Sequence, residues 1–277
     1  MLRRRLACLL ILSLITAVFS GCKESNIPQK QSEIAVSNTY LLSAVKDLCG
    51  SQNDVISLSP PGMCPGHFDI SPAQVEQLSK CKVLLLFDFQ SGIGDSLSRL
   101  QQRGLKIHGI AAPEGLCLPE TYLTVIRSVA EVLSKDNPVK RAEFDKRIEL
   151  IEKRLNVLAA DINTKIDRSE LKNVEVLVSG HQAEFAKWLG LNVIATFAGS
   201  DIETPSRINA SLMQAKDKNI KLVIANYQEG TALAKALAGR LNAKMVVFGN
   251  FPMGQGDAPA FDSLLLENVS GLFKNEK

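Results

Sequence analysis

The sequence predicts an α/β protein of two lobes, each a parallel sheet of four βα units, joined by one long rigid helix. Three observations lead there. Short β-branched runs alternate with helical patterns along most of the chain, the signature of parallel strands with crossover helices. The alternation comes in two sets of four. Between them lies a stretch of a different kind, from about Pro138 to Asp167, whose apolar residues recur at steps of three and four.

The first set of strands is Ile34–Asn38, Asp54–Leu58, Lys82–Phe87 and Leu105–Ile110, with helices at about 40–49, 72–80, 93–103 and 119–135. One helix start is explicit: Ser71, Pro72 and Gln74 stand where an N-cap, a first-turn proline and a capping-box glutamine belong. The second set is Val174–Val178, Asn192–Thr196, Lys221–Ala225 and Lys244–Phe248, with helices at about 182–189, 205–218, 231–241 and 260–274. Thr204-Pro205 marks a start and Gly190 a stop. In the middle segment Phe144, Ile148, Ile151, Leu155, Leu158, Ile162 and Ile166 form one apolar stripe among charged residues. At ~1.5 Å per residue the helix is about 45 Å long, a strut where a loop hinge would carry Gly and Pro. The expected organisation is residues 34–137 for the first lobe, 138–168 for the connecting helix and 169–277 for the second lobe.

The first 33 residues belong to none of this. Arg3, Arg4 and Arg5 precede an apolar stretch from Leu6 to Phe19, too short to span a bilayer and suited to a signal h-region. It ends in Ser20-Gly21-Cys22, small residues directly before a cysteine, as a lipoprotein signal peptidase requires. Residues 1–21 are therefore expected to be removed, Cys22 to be lipidated, and residues 22–33 to act as a polar tether. The protein would then be extracytoplasmic, anchored to a bacterial membrane on the periplasmic side or at the outer face of the cell.

The formal charge of +3 equals the three arginines of that leader, so the rest of the chain is formally neutral. With aromatics at 5% and no basic cluster elsewhere, nucleic acid is not an expected partner. Of six cysteines, Cys8 lies in the leader and Cys22 carries lipid, leaving Cys49, Cys64, Cys81 and Cys117. Four cysteines allow three fully paired arrangements, and spacing does not choose among them. Cys49 and Cys81 read as a buried thiol pair or a structural disulfide.

Ligands of open α/β sheets bind beyond the carboxyl ends of strands. The loop after the second strand carries Pro60, Pro61 and Pro65 around Cys64 and His67. That after the fourth carries Glu114 and Cys117. The first strand of the second lobe runs into Ser179-Gly180-His181, and the last into Gly249-Asn250. Thiolate and imidazole suit zinc and other borderline-soft metals. A Cys64–Cys117 disulfide tying two loops together is the competing reading. His108 falls inside a strand and reads as structural.

Here the residues resemble a family. Pro60-Pro61-Gly62 with nearby His67, the helix start Ser71-Pro72, the long helix, His181 after a strand and Asn250-Phe251-Pro252-Met253-Gly254 are similar to the TroA-like receptors of zinc- and manganese-type ABC importers. The resemblance covers nearly all of residues 34–274. It implies two lobes joined by a rigid helix, with one metal held in the cleft by side chains from both. Gly66 stands in the slot of the family's first histidine, with His67 one place on; the loop is one residue shorter before Ser71, so a local shift restores the match. An ungapped alignment puts Glu114 at the second histidine, with Cys117 close by, and Asn250 near the expected carboxylate. The implied ligand candidates are His67, His181, Cys64, Cys117, Glu114 and Asn250.

The expected function is a lipid-anchored solute-binding protein, a monomer without catalytic activity, that captures a transition metal for an ABC permease and ATPase. Zinc is favoured, with manganese or another divalent transition metal as the other cargo. A bilobal receptor for a non-metal or metal-complexed solute is the alternative, with Asn226, Gln228, Glu229 and Asn250 as contacts and the cysteines as disulfides. An exported thiol protein is the third reading, against which there is no Cys-x-x-Cys. The lipid anchor is directly testable: Cys22→Ser should leave uncut precursor in the membrane fraction. Incorporation of labelled fatty acid into that variant would refute acylation at Cys22.

Overall fold

The computed structural model describes residues 33–50, 54–61, 63, 69–199, 202–253 and 259–274. Cys22 and its leader, and Cys64 and His67 of the proline-rich loop, lie outside the described residues. Residues 32–277 form one compact unit.

The eight expected strands are present as β1 (Ile34–Val36), β2 (Val55–Ser57), β3 (Val83–Phe87), β4 (Lys106–Ile110), β5 (Glu175–Ser179), β6 (Asn192–Phe197), β7 (Leu222–Asn226) and β8 (Lys244–Phe248). They form two sheets of order β2-β1-β3-β4 and β6-β5-β7-β8, with every pairing parallel. In each order the chain leaves the two inner strands in opposite directions, so a crevice opens at their carboxyl ends.

The helices of the first half are α1 (Thr39–Cys49), α2 (Pro72–Leu78), the short pair α3 (Ser91–Ser96) and α4 (Ser98–Gln101), and α5 (Pro119–Asp136). Those of the second half are α7 (Ala183–Trp188), α8 (Pro205–Ala215), α9 (Ala232–Leu241) and α10 (Ala260–Phe273). Asn38 starts α1 by accepting hydrogen bonds from the Tyr40 and Leu41 amides. The Ser71–Gln74 capping box forms as the spacing predicts, and Gln74 also donates to the Leu58 carbonyl, tying α2 to the end of β2. Where one helix was expected over 93–103, a break at Leu97 divides α3 from α4.

The connecting element is α6 (Arg141–Asp167), preceded by a 3-10 turn at Pro138–Lys140. Phe144, Ile151, Leu155, Ile162 and Ile166 are buried along it, while Ile148 and Leu158 pack at the edge of the stripe. Cys81 is a free thiol donating weakly to the Gln77 carbonyl, and it is not joined to Cys49. Among the described residues no helix is long and apolar enough to cross a membrane.

The lobes are not independent cores. One apolar cluster runs from Val36, Tyr40 and Tyr122 of the first half through Ile151 and Leu155 to Phe248, Phe261 and Leu265 of the second. At its centre the rings of Tyr122 and Phe261 stack 3.8 Å apart at 1°, and Tyr40 meets Phe87, Phe251 and Phe261 at tilted or edge-on angles. Beside the stack, Arg154 of α6 is charge-paired to both halves. Its guanidinium donates to both oxygens of Asp47, at 3.3 and 2.6 Å, and its Nε lies 3.1 Å from Asp262 Oδ2. The second contact is an ion pair of poor angle, since Arg154 Nε and Asp262 Oδ1 make no hydrogen bond. Tyr122 donates to Asp47 at 2.9 Å. Burial lifts the Asp262 carboxyl above the ordinary range, against the opposing pull of Arg154.

Removing the cation would leave two largely buried carboxylates facing each other. Arg154→Met keeps the apolar stem and should cost about 3 kcal/mol. In thermal unfolding this is a fall in Tm of roughly 6–12 °C; a Tm unchanged from the parent would show that the bridge contributes nothing.

Candidate functional site

Where the carboxyl edges of the two sheets face each other, a cavity of about 570 Å³ opens between the lobes. The first lobe contributes Phe89, after β3, and the β4–α5 loop from Ala112 to Leu116; the second contributes Gly180, His181, Glu184, Asn226, Gln228, Glu229, Asn250 and Phe251. Three carboxylates line it and, among the described residues, no lysine or arginine does.

The β4–α5 loop is held in place from several sides. Tyr40 Oη donates to the Leu116 carbonyl and Thr121 Oγ1 to that of Glu114. Gly115 has φ +70°, and a β-carbon there would lie 2.7 Å from Leu118 Cδ1 and 3.1 Å from Glu184 Cβ across the lobe boundary. Only glycine allows this turn with so close an approach. The Glu114 side chain stands beside it, exposed at the cavity wall.

His181 sits in the 3-10 turn Gly180–Gln182 directly after β5, its side chain 69% exposed and part of the cavity wall. Its Nε2 lies 3.6 Å from Oε1 of Glu229, which ends the 3-10 turn Tyr227–Glu229 after β7. The other carboxylate oxygen accepts from Ser179 Oγ. Among the described residues no three His, Cys, Asp or Glu side chains are gathered closely enough to hold a metal by themselves.

Two of the expected ligands are engaged by other groups. Cys117 is 1% exposed, is a free thiol and does not line the cavity. It donates to the Gly249 carbonyl at 3.1 Å and accepts from Asn268 Nδ2 at 3.5 Å, bracing one lobe against the other. Burial raises its pKa far above the ordinary thiol value, the reverse of what a metal-binding thiolate needs. Spacing could not reveal this, because Cys117 occupies the first-lobe side of a joint whose other half lies more than 130 residues on. Asn250 lines the cavity, but its Oδ1 already accepts from Gln182 Nε2 at 2.8 Å and from Cys117 at 3.5 Å. Around it, Gln182 Oε1 and Gln228 Nε2 are buried without a hydrogen-bond partner. His108 lies mid-strand in β4, opposite Leu85 and outside the cavity lining.

The family model described as zinc-uptake complex component A, periplasmic, matches residues 34–274. The chain belongs to this family. Membership places it among periplasmic metal-binding receptors and not among enzymes. No curated protein matches the sequence significantly.

Solved structures agree on the fold. A manganese-bound periplasmic metal-binding protein from Candidatus Liberibacter asiaticus is 14% identical with a TM-score of 0.71, covering 86% of this chain and 97% of that one. Its cadmium-bound form gives 14% and 0.72 over the same shares. A crystal structure of ZnuA is 18% identical with a TM-score of 0.68, covering 86% of this chain and 96% of that one. At such identities the likeness carries the two-lobed architecture and no ligand set.

The position of Cys117 has a chemical consequence. In the native protein iodoacetamide should leave Cys117 unmodified, and unfolding should expose it, as peptide mass spectrometry would read. Native-state modification at the rate of an exposed thiol would contradict the buried placement.

Proposed function

We propose that the protein is a lipid-anchored, extracytoplasmic receptor that captures a transition metal ion in the interlobe cleft and passes it to the permease and ATPase of an ABC importer. The observation that carries this reading is the chemistry of the cleft. An imidazole and three carboxylates face a cavity whose described lining holds no cationic side chain, so the local field favours a cation over an anionic or neutral solute. The rigid frame suits that cargo, since metal coordination tolerates little misplacement of its ligands.

His181 is the second-lobe ligand. The first lobe supplies His67, with Cys64 and Glu114 as its companions on neighbouring carboxyl-edge loops. Cys117 and Asn250 shape the wall behind them without ligating. Zinc is the favoured cargo because imidazole, thiolate and carboxylate together suit it, whereas manganese prefers an oxygen-dominated set. Lipid at Cys22 and a tether over residues 22–33 keep the receptor near its permease.

Elemental analysis of protein purified without added metal should find about one equivalent of zinc, the stoichiometry of a single tetrahedral site. His181→Ala should lower zinc affinity by orders of magnitude in competition with a chromogenic chelator, while His108→Ala should leave it unchanged. A chain that takes up no divalent metal in either experiment would overturn the reading.

A further inference from the structure

The geometry points to Glu229 as a metal ligand beside His181, supplying from the β7 loop the carboxylate that the β8 loop lacks at Asn250. This assignment rests on the metal-receptor reading above and names one more residue of that site. Its starting point is topology. In the order β6-β5-β7-β8 the strands β5 and β7 are neighbours whose chains depart to opposite sides, so the second lobe's crevice lies between their carboxyl ends. His181 follows β5 there, and Glu229 follows β7.

The separation of the two side chains is informative. At 3.6 Å, His181 Nε2 and Glu229 Oε1 are too far apart for a good N–H···O bond, which falls at ~2.7–3.2 Å. Two ligands of one tetrahedral zinc, at ~2.0–2.1 Å for nitrogen and ~2.0–2.2 Å for oxygen, are themselves about 3.4 Å apart. The pair is spaced to share an ion.

Charge gives a second, independent argument. The Glu229 side chain is only 14% exposed, yet its described partners are the neutral Ser179 hydroxyl and His181. Among the described residues no lysine or arginine is ion-paired with it, and Arg207 stands only across a neighbouring pocket that it shares with Glu229 and His181. A largely buried carboxylate without a cationic partner is costly, and a divalent ion would supply the missing charge. Ser179 meanwhile holds the far oxygen, Oε2, and leaves Oε1 turned towards His181, the orienting role that outer-shell hydrogen bonds play at metal sites. Asn250 has no comparable freedom, because Gln182 and Cys117 already use its oxygen.

The test is zinc affinity by chelator competition, together with the visible spectrum of the cobalt(II)-loaded protein. Glu229→Gln keeps the shape and can still accept from Ser179. It should weaken zinc binding about 100-fold or more and alter the cobalt bands, with the Tm of the metal-free protein no lower than the parent's, since a costly buried charge is removed. Ser179→Ala, which touches only the orientation, should cost roughly tenfold, and it provides the readout should Glu229→Gln fail to fold. If affinity collapses in His181→Ala but both affinity and cobalt spectrum survive in Glu229→Gln, the assignment is wrong while the receptor reading stands. A wild-type protein that takes up neither zinc nor cobalt overturns both.

Discussion

The structure depends on the joint where Tyr122 and Phe261 stack and where Arg154 is charge-paired to Asp47 on one side and Asp262 on the other. A long helix between two sheets is by itself only a spacer, since each sheet could close its own core and leave the other free to swing. Here the stripe of α6 is buried in a single apolar cluster drawn from both sheets, and the polar contact at its midpoint joins α1, α6 and α10. Sliding one half past the other would break apart stacked rings and strand buried charges. Interiors packed this way hold discrete arrangements and do not deform continuously.

That rigidity governs what the cleft can do. A receptor with loop hinges can wrap its lobes around a solute after contact. This frame has to present its wall already arranged, and the contacts behind the wall reflect it: Tyr40 on the Leu116 carbonyl, Cys117 on the Gly249 carbonyl, Gln182 on Asn250, Ser179 on Glu229. Each is a buried or half-buried bond that positions a loop at or behind the cavity wall. Adaptable recognition of a large solute would draw on different features, while a small ion with fixed bond lengths is served well by them.

Much of the architecture was legible in the residues. The strands fell within a few positions of their expected places, because a parallel sheet covered on both faces needs continuous apolar runs such as Val83–Phe87 and Leu222–Ala225. The stripe of α6 and the Ser71 capping box were legible for the same reason, as both are local patterns. What escaped was long-range. Arg154 reads as one more charge on a solvated helix face, since nothing nearby in sequence signals two aspartates at Asp47 and Asp262. Glu229 was legible only as a polar contact for another kind of solute, because its closeness to His181 depends on strand order. Cys117 was read by its type, which suits a metal, when burial decides its chemistry.

The shared core also bears on how the chain acquires its structure. Synthesis proceeds from the first residue, yet Phe261 and Asp262, which complete the packing around Tyr122 and Arg154, sit in the last helix. Until α10 arrives, the faces of α1, α6 and β8 that it packs on stay open. Exposed surface of that kind is what holdase chaperones bind and proteases attack. The closing residues thus complete the packing of the opening half, and a truncation that removes α10 would uncover α1, a helix laid down more than two hundred residues earlier.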